Sequence, residues 1–143
     1  MKSIATLVLL GLLVVSCNSS KSAIKKPSNA HTAVQDTVRI ANDSLEYEIL
    51  IIEPGFNSWL DSTAKPEGFY SQDFLENRNR IYVMEWNQRV LQPQRYNPNL
   101  YELQIDYDPN INYGYEVNYQ LYNYFIYFQL TYNQRLGTFV PRI

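Results

Sequence analysis

One cysteine, one histidine and five glycines stand in 143 residues. That shortage excludes much chemistry. A lone thiol, Cys17, gives no internal disulfide and no multi-cysteine metal site. The lone imidazole, His31, lies in a Ser-, Lys- and Asn-rich stretch without apolar periodicity, away from any partners for a catalytic triad. There is no glycine-rich phosphate loop, no serine elbow and no zinc-ligand spacing. Charged residues make up 18% of the chain and the formal net charge is −2. Nucleic acid demands clustered Lys and Arg, so a nucleic-acid partner is not expected. The apolar run Ile4–Val15, broken by Thr6 and Gly11, is shorter than the about 20 residues that span a bilayer. For catalysis there remain carboxylates, Tyr, Ser and Lys. The chain reads as non-enzymatic, with no cofactor.

What the first residues do contain is a short positive start, Met1-Lys2-Ser3, then the apolar run, then a small residue. This describes a secretory leader over residues 1–16. Val14-Val15-Ser16-Cys17 resembles the bacterial lipobox, and the resemblance implies a diacylglyceryl group on Cys17 and cleavage just before it. One acyl chain binds a membrane marginally, whereas two or more hold firmly. Lipidation would also consume the thiol, so a cysteine nucleophile is excluded from the mature chain. Residues 17–35 read as a lipidated flexible tether and residues 36–143 as a single domain. No acidic cluster follows Cys17, which favours an outer-membrane anchor facing the periplasm. The expected partners are the membrane, through Cys17, and another envelope protein or a glycan.

Within the domain, Thr37–Ile40 reads as a short strand and Asn42-Asp43-Ser44 as a turn. Leu45–Ile52 is the best strand. Leu45, Tyr47 and Ile49 share one face, and the continuous apolar end reads as buried on both sides. Gly55–Leu60 is expected to form a short helix or turn packing Phe56, Trp59 and Leu60. A helix follows with Ser71 as N-cap and Asp73 in its first turn. Its apolar stripe is Phe74, Leu75, Ile81, Tyr82, Trp86 and Val90. Glu76–Arg80 and Glu85–Arg89 have the spacing of ion pairs, and Pro93 ends the helix. Tyr101, Leu103, Ile105 and Tyr107 alternate with polar residues, the pattern of a half-buried strand. The tyrosine-rich stretch 113–132 fits two descriptions. As a strand, Tyr113, Tyr115, Val117, Tyr119 and Leu121 alternate. As a helix, Val117, Leu121, Tyr124 and Phe128 form a stripe, Glu116, Gln120 and Asn123 share the wet side, and Gly137 is the stop. The pattern alone leaves both open.

The chain resembles a family of uncharacterised lipoproteins from the Bacteroidota, defined only as a domain of unknown function. The resemblance rests on Pro54-Gly55-Phe56 with Trp59-Leu60, Tyr70-Ser71, Leu75-Glu76-Asn77, Tyr82-Val83, Glu85-Trp86-Asn87 and Arg95-Tyr96. It continues through Ile105-Asp106-Tyr107-Asp108 to Tyr113-Gly114, spanning residues 45–135. It implies a helix at the tyrosine-rich stretch and no particular activity. The expected architecture is therefore α+β, a small sheet led by residues 45–52 packed against two or three helices, near 72–91 and 115–134 among them.

Two constellations deserve weighing. Asp106, Asp108, Asn110 and Asn112 run as the first half of an EF-hand loop. Ile111 then stands where the loop needs glycine and Val117 where it needs a bidentate Glu, so a self-capping turn is the stronger reading. Glu85 with Asp106 or Asp108 would suit a glycosidase only if they flank one cleft. The aromatic residues Trp59, Trp86, Tyr113, Tyr115 and Tyr119 are expected to contribute a binding surface, since exposed aromatic patches mark binding sites. The leading expectation is a membrane-anchored envelope lipoprotein that binds or scaffolds. The alternative is a carbohydrate-active or calcium-dependent envelope protein using Trp59, Trp86 and the 106–112 segment.

Overall fold

The computed structural model describes residues 37–143, with side chains from Arg39 onward except those of Ile51 and Ile52. The expected leader and tether, with Cys17 and His31, lie outside the described residues. The domain is α+β, as the sequence implies: a two-stranded antiparallel sheet and three helices. β1 (Thr37–Asn42) and β2 (Tyr47–Ile52) form a hairpin in which Thr37 faces Ile52 and Asn42 faces Tyr47. A single 3-10 turn, Asp43–Leu45, joins them, capped by Asn42, whose side-chain oxygen accepts from the Ser44 N–H. Tyr47 and Ile49 pack on the core as expected. Leu45 instead lies exposed in the connecting turn, so the strand starts at Tyr47, and Leu50 is exposed rather than buried from both sides.

Helix α1 (Phe56–Ser62) starts after Gly55, which adopts φ 88°. A Cβ there would meet the Tyr127 hydroxyl at 3.1 Å, so the left-handed turn and the close approach both call for glycine. Helix α2 (Gln72–Val90) opens on the expected cap, with Ser71 Oγ accepting from the Phe74 N–H at 3.3 Å. Helix α3 (Tyr115–Thr131) settles the tyrosine-rich stretch as a helix. Gly114 starts it at φ 84°, ψ 170°, a conformation nearly confined to glycine. Its stop is Asn133 rather than Gly137. Asn133 takes φ 50°, and the Gln134 N–H reaches back to the Gln129 carbonyl at 3.0 Å, the Schellman arrangement that satisfies orphaned carbonyls.

α3 is the centre of the domain. From Val117 to Gln129 every residue but Gln120 is buried, because α2, α1 and β1 all pack against it. A helix covered all round needs apolar or self-satisfied side chains on every face. Of the expected wet side, Glu116 is exposed and Gln120 half-buried, but Asn123 is buried for this reason and bonds its own helix, donating to the Tyr119 carbonyl.

Two other expectations are corrected. The segment around Tyr101–Tyr107 is not a strand. It runs without a neighbouring strand, and side chains replace the missing ladder. Tyr101 and Ile105 point inward, but Leu103 is 79% exposed. The Glu76–Arg80 pair does not form. Arg80 donates to the Pro109 carbonyl at 2.8 Å, and Glu76 accepts from Gln72 at 2.8 Å. Glu85–Arg89 does form, at 2.7 Å.

Candidate functional site

The tyrosine-rich stretch supplies no exposed aromatic surface. Tyr113 and Tyr119 are buried, Tyr115 is half-buried, and Trp86 is only 6% exposed. Trp59 is half-buried against Phe56 and Tyr127, with ring centroids 6.4 and 5.5 Å away. The rings make the core: Trp86 meets Phe128 at 4.8 Å and Tyr101 at 5.0 Å, edge to face.

The hydroxyls explain why tyrosine rather than phenylalanine is used. Tyr127 donates to the Pro54 carbonyl at 2.7 Å and Tyr119 to the Lys65 carbonyl at 2.9 Å. Tyr115 accepts from the Gly68 N–H at 2.6 Å, and Tyr113 from the Asp108 N–H at 2.9 Å. Helix and ring position come from packing, while each phenol tip satisfies a loop group that no strand or helix serves.

Two polar clusters that the sequence pattern does not reveal hold the core. Asn79, fully buried on α2, donates to the carbonyl and the side-chain oxygen of Asn118 on α3, at 3.0 and 3.1 Å. Tyr107 donates to the same Asn118 oxygen at 2.8 Å. Arg89, also buried, donates to Glu85, to the Tyr101 hydroxyl at 2.7 Å and to the Arg135 carbonyl, joining the end of α2 to two loops. Only the i,i+4 spacing of Glu85 and Arg89 hints at this second cluster.

Of the residues weighed for calcium or glycan chemistry, Trp86 and Asp106 line one groove, while Trp59, Glu85 and Asp108 lie outside it. Asp108 caps its own turn, its Oδ1 accepting from the Asn110 N–H at 2.8 Å and from the Asn110 side chain at 2.9 Å. Asp106 is exposed on a different surface feature from the Glu85–Arg89 pair, and Trp59 and Trp86 do not line one cleft. Among the described residues, no three His, Cys, Asp or Glu side chains are placed to hold a metal ion.

What the fold does offer is a groove of about 690 Å³, bounded by β2 and residues 99–106. Its floor is Trp86, Tyr124 and Phe128. Exposed Leu50 and Leu103 stand on opposite walls. Its carboxylates are Glu46, Glu48, Glu53, Glu102 and Asp106, and no Lys, Arg or His lines it. Burial pushes the Glu53 carboxyl above its usual range, and the hydroxyl of Tyr132, 2.8 Å from Oε1, works the other way. Burial also raises the Tyr47 and Tyr124 phenols, which stay neutral. This volume falls within the about 300–1,000 Å³ common for ligand sites. A second cleft of about 300 Å³ lies by Tyr70, Phe74 and Tyr122, where the Arg78 guanidinium sits 3.2 Å from the Phe139 ring centre. The sequence pattern missed the larger groove because its walls are two segments far apart in the chain.

No curated protein and no solved structure matches the chain. A family model does, over residues 5–140, which takes in the whole described domain apart from its last three residues. The chain therefore belongs to the family of unknown function DUF6146.

Proposed function

We propose that this protein is exported, lipidated on Cys17 and held at a membrane of the cell envelope, on the periplasmic side of an outer membrane. There its domain acts as a non-enzymatic binding module for another envelope protein. As part of the same proposal, the family consists of lipoproteins of the Bacteroidota. The anchor rests on Val14-Val15-Ser16-Cys17 behind a leader too short to span a bilayer. No helix among the described residues is long and apolar enough to cross a membrane. The binding role rests on one observation, the apolar-floored acidic groove beside β2. That groove takes over the part first given to the tyrosine-rich surface, whose rings are mostly consumed by the core.

The anchor is tested by Cys17→Ala. The wild-type chain is expected to incorporate labelled palmitate and to partition into detergent and membrane fractions, and the variant to do neither. A variant that still sediments with membranes after a high-salt wash sinks the lipoprotein reading.

A further inference from the structure

The groove runs along the edge of a strand. Tyr47, Glu48, Ile49 and Leu50 of β2 all line it, four residues in a row, with Glu46 just before the strand. Side chains on a strand alternate between faces, so a groove that touches every residue follows the edge and not one face. One edge of β2 pairs with β1, and the described sheet has two strands, so this is the edge without a partner. The opposite wall, Glu102 to Asp106, is also lined by consecutive residues. Its backbone is held by side chains only: Trp86 donates to the Leu103 carbonyl at 2.9 Å, and Tyr47 donates to the Asp106 carbonyl at 2.6 Å. Asn87 holds Ile105. Among the described residues, the N–H groups of Glu102, Leu103, Gln104 and Asp106 and the carbonyls of Glu102 and Gln104 bond to no protein group. The free edge of β2 and the unbonded backbone of residues 102–106 thus face one groove, and exposed strand edges accept added strands.

Charge narrows the occupant. Glu48 is matched by Arg39 at 2.7 Å, but Glu46, Glu53, Glu102 and Asp106 have no ion pair among the described residues. Glu53 is the sharpest case. It is 8% exposed, lines the groove and has no cation near it, only the Tyr132 hydroxyl. A nearly buried carboxylate is costly without a countercharge. Anionic headgroups, acidic glycans and nucleic acid are repelled by the same rim. A neutral sugar finds no open stacking face on the floor, because Trp86, Tyr124 and Phe128 are almost fully covered.

We infer that the groove binds an extended segment of a partner protein in which Lys or Arg alternates with apolar residues. The segment adds as a strand to the free edge of β2, and one of its cations sits against Glu53. The inference rests on the reading of this groove as a docking site and names its partner.

The test uses the full mature chain made without its lipid, and four fluorescent eight-residue peptides. The first alternates Lys with Val, the second has Gln for Lys, the third has Glu for Lys, and the fourth keeps Lys but has Pro at alternate positions. The first is expected to bind about 10-fold or more tighter than the second, with no binding by the third, since like charges across an interface are strongly disfavoured. The fourth fails because proline cannot donate to a ladder. Glu53→Gln is expected to weaken the Lys peptide about 10-fold and leave the Gln peptide unchanged. Glu102→Lys, on the exposed rim, checks the charge effect without touching the buried carboxylate. Backbone amide shifts locate the complex. If the Gln or Glu peptide binds as well as the Lys peptide and shifts residues 46–50 and 102–106, the basic partner is overturned while the docking groove survives. If no peptide shifts those amides, the docking reading falls with it.

Discussion

Asn87 holds Ile105 by both of its backbone groups. The Asn87 Nδ2 donates to the Ile105 carbonyl at 2.8 Å, and its Oδ1 accepts from the Ile105 N–H at 2.8 Å. One amide side chain on α2 thereby supplies the two bonds that a neighbouring strand would give. Replacing it by alanine leaves both groups unpaired beside the core, a cost of about 1–3 kcal/mol. Asn87→Asp recovers little, since a carboxylate accepts from the N–H but meets the carbonyl oxygen with like charge. Denaturant unfolding measures the loss, and hydrogen exchange at Ile105 should quicken with it. An Asn87→Ala chain as stable as wild type contradicts this account.

Arg89 is the hub where the end of α2 meets Tyr101 and the 134–136 segment. Removing it strands Glu85 and the Arg135 carbonyl at once, and Arg89→Ala is expected to cost about 3 kcal/mol. For a domain of this size each kcal/mol is worth about 4–8 °C in Tm, so the melting temperature should fall by more than about 10 °C. Arg89→Lys keeps the charge but loses the planar fork, and should restore less than half of the loss. Calorimetry of the two variants decides it.

Tyr127→Phe isolates the stapling role of the phenols. The ring and its contact with Phe56 at 5.6 Å remain, and only the bond to the Pro54 carbonyl goes. The expected loss is about 1–2 kcal/mol, without a change in the dependence of stability on denaturant. A neutral outcome would show that water replaces the hydroxyl.

High pH should unfold the domain through its tyrosines. Burial pushes Tyr107 up to about 12, and the hydrogen bond to Glu53 does the same for Tyr132. Tyr47, Tyr122 and Tyr124 are raised further by burial. In the unfolded chain these phenols ionise near pH ~10. Because the folded pKa values are the higher ones, the unfolded state sheds protons first. Stability is intact below pH about 10 and declines as pH rises toward 12. Tyrosinate absorbance and far-UV circular dichroism followed together should change in one cooperative step. Smooth ionisation near pH ~10 with the helical signal unchanged would oppose this.

Local chemistry made much of the fold readable. Ser71 marks the start of α2 because its hydroxyl satisfies an orphan N–H one turn on. The hairpin follows from Asn42-Asp43-Ser44 between two β-branched runs. The 101–107 segment misled because alternation reports burial on one side and says nothing about whether a neighbouring strand exists. The groove was invisible for a related reason. Its walls, residues 46–50 and 99–106, meet over side chains of helices α2 and α3 and through the Tyr47 hydroxyl.

The sequence by itself determined the α+β class, the cap of α2, the absence of thiol and imidazole chemistry in the domain, and the expectation of an anchor at Cys17. Tertiary structure decided what the tyrosines are for. A strand and a helix both suit residues 113–121 locally, and the choice came from α3 being enclosed by α2, α1 and β1. Enclosure turned the aromatic stretch from a surface into a core, since burying those rings outweighs tyrosine's local preference for strands. It left a groove beside β2 whose 102–106 wall keeps unbonded backbone groups and whose carboxylates Glu46, Glu53, Glu102 and Asp106 have no ion pair among the described residues.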